Sequence, residues 1–482
     1  MTLREAIQLY GIVVITYFAL LNLNYIVLAA LAWRSLGRYL RTRAYAGVDE
    51  AFASPLTPAI SVILPAYNEA PVIVESVRSL LALRFPRFEV IVVNDGSTDR
   101  TVDELVDEFD LVPAALALRT ATPHAPLRAT YLSRRHPELV VLDKDNGGKA
   151  DSLNAGVAVA QHPYVCAIDA DAILEPESLL RVAMPLLDDP DLVVAAGGIV
   201  RIANGCHVDA GRVTKVGLPR SRLATLQVVE YFRAFLVGRV GWSTARSLLI
   251  ISGAFGLFRR SAVEAVGGWW TGTVGEDMEL VVRLHRHFQQ RDEDYRILFV
   301  ADPVCWTEVP EDIRTLSRQR RRWQRGLVEA LWRHRAVAFR PGYRRLGLVA
   351  MPYFIIFETV GPILTLVSYV LLPVAFLLGL VSFAYLFTFF VVALLMGQVL
   401  SIAALALEEF SFRRQPRWRE VARLIWYATV ENFGYRQLTD LWRLQGTWDA
   451  LRRTSGWGEM TRQGFVVAPT AADTSEAAPT GR

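Results

Sequence analysis

The chain has 482 residues, 52% of them hydrophobic, with a mean hydropathy of +0.26, which is too apolar for a soluble protein of this size. Its 52 Lys and Arg against 48 Asp and Glu leave a net charge of +4, too small over this length to indicate a nucleic-acid partner. Cys166, Cys206 and Cys305 are an odd number with no C-x-x-C, so reduced, cytosolic, buried thiols are expected. The seven histidines contain no H-x-x-x-H, and His285 and His287 point to different sides of a helix, so no zinc site is expected.

After a short segment at 1–11, the run 12–33 is free of charge and about one membrane span long, although Asn22 and Asn24 interrupt it. No small-x-small cleavage site follows, so it reads as a transmembrane helix and not as a cleaved leader. Arg34, Arg38, Arg41 and Arg43 come after it and only Arg4 before it. The positive-inside rule then puts the N-terminus outside and the basic linker 34–54 in the cytoplasm.

From 55 to 335 the pattern alternates between strands and helices. "ISVILPA" is a strand, and 69–83 is a helix with Val72, Ile73, Val77, Leu80 and Leu81 on one face. "FEVIVVND" is a strand, followed by a helix from Asp99 with Val102, Leu105, Val106 and Phe109 inward. "LVVLD" is a strand, 149–161 a helix, and "YVCAIDA" and "LVVAAGG" continue the series. Repeated units of this kind predict a mostly parallel, doubly wound α/β sheet with its ligand site at the C-terminal strand ends.

The segments "PAYNEA", "VNDGSTD", "DKDNGGKAD" and "IDADA" fall at those ends, and two of them open helices whose N-terminal amides suit an anion. Asp169 and Asp171, two apart at a strand end, project to one side. Neither has a lysine or arginine beside it in the sequence, and a hard cation bound to phosphates would resolve their repulsion. The only lysines are Lys144, Lys149 and Lys215, and two of them sit in "DKDNGGKAD", where an ammonium beside Gly147 and Gly148 can approach a phosphate. "SGAFG" supplies a small-residue floor. "GEDMELVVRLHRHF" places Glu276 and Asp277 at a helix start, where capping competes with any catalytic reading. "RQRRRWQRGL" lies on a helix from near Pro310, with Gln319, Arg322 and Trp323 on one face.

The region 336–407 is predicted as an interfacial or reentrant helix followed by two spans, with three crossings as the alternative. Glu358 is the ionisable side chain of the apolar run 346–407, flanked by Pro352 and by Gly361 and Pro362, where a helix would kink. It is expected either to line a polymer path or to pair with a helix-end arginine, and the competing reading is an interfacial helix with Glu358 among the headgroups. Arg413, Arg414, Arg417 and Arg419 place the following segment, 408–464, back in the cytoplasm as amphipathic helix, and 465–482 reads as a disordered tail.

A-Y-N-E, N-D-G-S-T-D, N-G-G-K-A, D-A-D, G-E-D and Q-R-R-R-W occur in the order found in membrane-embedded family 2 glycosyltransferases. The chain resembles that family, which includes the cellulose, hyaluronan and chitin synthases and bacterial poly-N-acetylglucosamine synthase. The resemblance implies a Rossmann-like GT-A domain that binds a UDP-sugar with Mg2+ or Mn2+. It implies that Asp95 contacts the uracil with Tyr67 and Glu69 nearby, that Lys149 contacts the diphosphate, and that Asp171 of the Asp169/Asp171 pair holds the metal. Asp277 falls at the position of the catalytic base, and Gln319, Arg322 and Trp323 at the Q-x-x-R-W motif, with Trp323 against the acceptor. Two positions depart from the pattern: Asn94 stands for the first aspartate of D-D-G-S, and Gly275 opens what is usually T-E-D.

The function so implied is an inverting, processive transferase of the bacterial inner membrane that elongates a β-linked exopolysaccharide on the cytoplasmic face. Its partners would be the donor, the growing glycan, membrane lipids and export or accessory subunits. The alternatives are transfer of a single sugar to a lipid carrier, and a catalytically silent nucleotide receptor.

Overall fold

The computed structural model describes residues 2–43, 47–119, 122–209, 211–412 and 418–452. Arg413, Arg414, Arg417 and the tail 465–482 lie outside the described residues.

Among the described residues, ten strands form one sheet. In chain order the strands are β1 (Ile60–Ala66), β2 (Phe88–Asn94), β3 (Leu111–Pro113), β4 (Leu127–Ser133), β5 (Leu139–Lys144), β6 (Tyr164–Ile168), β7 (Ala172–Leu174), β8 (Val193–Ile202), β9 (His207–Asp209), β10 (Arg212–Lys215), β11 (Phe255–Arg259) and β12 (Arg296–Thr307). The sheet runs β3-β4-β5-β2-β1-β6-β11-β8-β12-β7, with β9 and β10 as a separate hairpin. The core β5-β2-β1-β6 is parallel, as the alternation of strands and helices requires. β8 and β12 run the same way, but they join that core through β11, which is antiparallel to both neighbours. β4 and β7 also run against the core. The sheet is therefore mixed, mostly parallel at its centre.

β1, β2, β6 and β8 are buried almost throughout, which is why their sequences are near-continuous apolar runs. The first helix of the domain spans Ile73–Leu81 and starts later than its apolar pattern suggests. Asn68 adopts a left-handed φ of 55°, and the backbone from Glu69 to Val72 forms a turn ahead of the helix. In the helix Thr101–Phe109, Leu105 and Phe109 are buried while Val102 and Val106 are half-buried. Cys166 and Cys305 are buried free thiols, but Cys206 is only half-buried.

Among the described residues, three helices are long and apolar enough to cross a membrane: Leu3–Arg41, Leu346–Leu377 and Phe383–Ser411. The first helix extends to Arg43, so the stretch expected as a basic linker begins as helix. Leu36 is buried against the domain, and the Tyr39 hydroxyl donates to Asp302 at 2.8 Å. The interfacial helix expected ahead of the second span is not separate. The helix runs on through Pro352 and Pro362, with wide π turns at Leu346–Ala350 and Phe354–Val360. Proline lacks an N–H and its ring displaces the preceding carbonyl, and a π turn accommodates both without ending the helix.

Candidate active site

A cavity of 1490 Å³ opens at the C-terminal ends of the parallel strands, beside central β1, where the sheet order reverses. Tyr67, Glu69, Asp95, Lys149, Asp169, Asp171, Asp277, Gln319, Arg322 and Trp323 all line it.

The loop after β5 is organised by Asp95. Its Oδ1 accepts the Gly147 N–H at 2.9 Å and its Oδ2 accepts the Gly148 N–H at 2.8 Å and Asn146 Nδ2 at 3.2 Å. Gly148 sits at φ 89°, a conformation closed to side chains with a Cβ, and opens the helix Lys149–Val159. Lys144 is fully buried, ion-paired to Asp95 and, at 2.8 Å, to Asp151. Of the two lysines in this loop only Lys149 lines the cavity, and Lys144 does not. Five residues apart, one ammonium turns into the core to satisfy two buried carboxylates and the other turns to the cavity.

Lys149 is that second ammonium. Its Nζ lies 2.5 Å from Asp169 Oδ1 and 3.3 Å from Glu276 Oε1, and it donates to the Gly253 carbonyl at 3.0 Å. Asp169, which has no cation next to it in the sequence, thus has one in space. Burial opposes the charge on Lys149, but Asp169 and Glu276 outweigh it and hold its pKa above the usual lysine range. Burial raises the pKa of Glu276, with the charges of Asp277 and Asp169 adding and Lys149 opposing.

Asp277 lies in the first turn of the helix Glu276–Gln290, and its Oδ1 accepts the Met278 N–H at 2.8 Å. This helix start is pressed against the helix Ile313–Arg333 through two glycines. A Cβ on Gly275 would come within 2.8 Å of the Gly326 backbone. Only that close approach brings Asp277 and the face carrying Gln319, Arg322 and Trp323 to one cavity. Gln319 is buried, and its Oε1 makes no hydrogen bond. Trp323 is 44% exposed, and the Arg320 guanidinium lies over its ring, 4.3 Å from the centroid. Arg320 is held by Glu230 at 2.8 Å, which also accepts the Tyr435 hydroxyl from the C-terminal helix Tyr435–Leu451.

Sequence reasoning missed Arg239, which also lines the cavity. Its Nε donates to the Ile251 carbonyl at 2.7 Å, its guanidinium lies 4.0 Å from the Phe235 ring centroid, and burial lowers its pKa to about 10 against the opposing pull of Asp277. The available signal was a lone charge in the apolar stretch "FLVGRVGW". Glu276 was noted only as a helix-start carboxylate, and its partnership with Lys149 is a tertiary fact.

Among the described residues, no group of three His, Cys, Asp or Glu side chains forms a candidate metal site. Asp169 and Asp171 offer hard carboxylate oxygens on the cavity wall. That donor set fits a divalent cation only as part of its coordination, with phosphate oxygens of a bound nucleotide completing it.

Glu358 does not line the cavity. Its Oε2 pairs with Arg443 at 2.6 Å, its Oε1 accepts from the Tyr353 hydroxyl at 3.3 Å, and its backbone carbonyl accepts Gln324 Nε2 at 3.0 Å. Arg443 is mid-helix in Tyr435–Leu451, and its Nε also donates to Gln324 Oε1 at 3.0 Å. Glu358 thus pairs with an arginine, but one in mid-helix and not at the expected helix end; the pair ties the second apolar helix to Tyr435–Leu451, and Gln324 links both to the helix bearing Trp323. Glu358→Leu should leave the half-buried Arg443 with only its longer ion pair to Asp440 at 3.8 Å and destabilise the protein by about 2 kcal/mol, less than a fully buried pair loses. Thermal unfolding in detergent checks this, and adding Arg443→Leu should recover part of the loss.

Residues 164–400 match the family "Glycosyl transferase family group 2" and residues 61–117 match "Glycosyl transferase family 2". A poly-beta-1,6-N-acetyl-D-glucosamine synthase of Staphylococcus epidermidis is 30% identical over 276 residues, which are 57% of this chain and 56% of that protein. The enzyme of the same description from Staphylococcus aureus (strain COL) is 31% identical over 277 residues, with the same shares. The chain spans a little over half the length of these relatives. A mannosyltransferase from Pyrobaculum calidifontis, solved in complex with GDP-Man and Mn2+, is similar at 19% identity and a TM-score of 0.49, over 90% of this chain and 100% of that one.

Proposed function

Since this chain carries family 2 glycosyltransferase domains at 61–117 and 164–400, we propose that it is a hexosyltransferase that uses a UDP-sugar to extend a β-linked exopolysaccharide at the cytoplasmic face of a bacterial inner membrane. The observation that carries the reading is the convergence of Lys149, Asp169, Asp171, Asp277, Arg322 and Trp323, drawn from distant segments, on one cavity.

In the proposed reaction Asp277 takes the proton from an acceptor hydroxyl as its oxygen bonds to the anomeric carbon. The bond from that carbon to the β-phosphate oxygen of UDP breaks on the opposite face, inverting the configuration. Lys149 and Arg322 balance the charge that accumulates on the leaving diphosphate. Asp95 positions the loop that presents Lys149, and Tyr67 and Glu69 flank the nucleoside. A Mg2+ or Mn2+ ion, held by Asp171 with Asp169 beside it, would supply Lewis-acid stabilisation of the same diphosphate. Gln319 has an unused buried oxygen that can accept a hydroxyl, and Trp323 offers a flat ring on which the terminal sugar of the glycan stacks.

Processive extension requires the product to rest at the mouth of the site after each transfer. Indole stacking contributes on the order of 1 kcal/mol to that hold. Trp323→Ala is therefore expected to shorten or stop elongation while UDP binding persists. Membranes incubated with a panel of labelled UDP-sugars, followed by product sizing for wild type and variant, test this. A wild-type product of one sugar on a lipid carrier overturns the polymer reading.

A further inference from the structure

A second cavity, of 1020 Å³, lies at the opposite end of β12, where that strand begins at Arg296, and shares no lining residue with the first. Its wall includes Ser35 and Tyr39, just past the apolar part of the N-terminal helix, and Arg345, immediately ahead of the apolar helix Leu346–Leu377. The cavity thus sits where two candidate spans meet the globular domain.

At this point the chain places an arginine where glycine is the usual choice. The helix Val240–Thr244 closes with the Arg246 N–H donating to Ser243 O and the Ser247 N–H to Trp242 O, both at 2.9 Å. That pair of bonds requires a left-handed residue after the cap, and Arg246 adopts it at φ 54°, with a steric cost that glycine does not carry. The Arg345 Nη1 reaches the same turn and donates to the Ala245 carbonyl at 3.0 Å, next to Arg246. Other arginines around the cavity are matched: Arg181 with Asp302 at 2.6 Å, Arg296 with Asp189 at 3.0 Å and Arg344 with Asp292 at 2.6 Å. Among the described residues, neither Arg246 nor Arg345 has a carboxylate within 4.0 Å, and the acidic Glu293 and Asp294 on the rim pair with neither.

Both exposed arginines line this cavity, and Arg345 reaches the backbone turn that carries Arg246, so one phosphate at its mouth can take charge-assisted hydrogen bonds from the two. We infer that Arg246 and Arg345 bind the phosphate of an anionic phospholipid headgroup at the mouth of this cavity. A soluble phosphate offers the same chemistry. Position favours the lipid: Arg345 is the residue before an apolar helix long enough to cross the membrane, at the level where headgroup phosphates lie.

The test is thermal unfolding of the full chain in neutral detergent with phosphatidylglycerol, phosphatidylcholine or inorganic phosphate added. Phosphatidylglycerol is expected to raise Tm, and phosphatidylcholine and millimolar phosphate are not. Arg246→Gln with Arg345→Gln should weaken the phosphatidylglycerol effect on the order of fivefold per arginine. Arg246→Gly relieves the left-handed backbone, so it should be at least as stable as wild type without lipid and still lose the response. An equal response to both lipids, or a full response in Arg246→Gly, overturns the site. Inorganic phosphate that reproduces the shift and competes with the lipid overturns the lipid assignment.

Discussion

Asp277→Asn is expected to lower turnover by about a hundredfold to ten-thousandfold while leaving UDP affinity near wild type, because it removes a base without removing a shape. The substitution separates the two readings of this residue. An asparagine oxygen can still accept the Met278 N–H that Asp277 Oδ1 accepts at 2.8 Å, so the start of the helix Glu276–Gln290 keeps its bond. The side chain can no longer take a proton at pH 7. Lys149, Asp169 and Glu276 retain their mutual pairing at 2.5 and 3.3 Å, so the diphosphate end of the cavity is undisturbed. Initial rates at saturating donor, together with calorimetric UDP binding, are the measurements. Turnover equal to wild type would reduce Asp277 to a carboxylate that favours a helix N-terminus.

Lys149→Met is expected to weaken UDP binding about ten- to hundredfold, the range of one charge-assisted hydrogen bond. It also leaves Asp169 and Glu276 facing one another without the ammonium that lies between them. Those two effects have different remedies. If Lys149 serves only as a counter-ion, adding Glu276→Gln to Lys149→Met removes one of the repelling charges and should restore donor affinity. If Lys149 clamps the diphosphate, the double variant stays weak, and that is the expected result. Lys149→Arg is not a conservative control. The lysine Nζ donates to the Gly253 carbonyl at 3.0 Å and pairs with Asp169 and Glu276, and a longer, planar guanidinium cannot keep that set of contacts from the same position. Calorimetric titration of wild type, Lys149→Met and the double variant with UDP decides between the roles.

Much of this site was legible because strand ends are local features. Buried strands announce themselves as apolar runs, and the residues that terminate β1, β2, β5 and β6 must lie on one edge once those strands are parallel. The roles of Asp95, Asp277 and the Gln319, Arg322 and Trp323 set came instead from the resemblance of the motifs, since an aspartate in the first turn of a helix looks the same whether it caps or reacts. Arg239 escaped notice because an arginine closing an otherwise apolar stretch belongs to no motif with a spacing to read.

The sequence by itself determined the inventory: a parallel α/β core, the acidic and glycine-rich strand ends, the apolar stretches long enough for spans, and the one carboxylate within the second of them. Hydrophobic periodicity and chain direction depend on neighbours a few residues away, and such patterns survive without knowledge of the fold. Tertiary structure alone decided which lysine faces the cavity, because Lys144 and Lys149 differ only in whether two distant carboxylates or a site lie beside them. It decided that β11 enters the sheet antiparallel, since pairing direction is set by the connection and not by the strand's own residues. It also decided that Asp169 and Glu358 are paired with Lys149 and Arg443, because an ion pair is specified by where two chain segments meet and leaves no mark on either segment read alone.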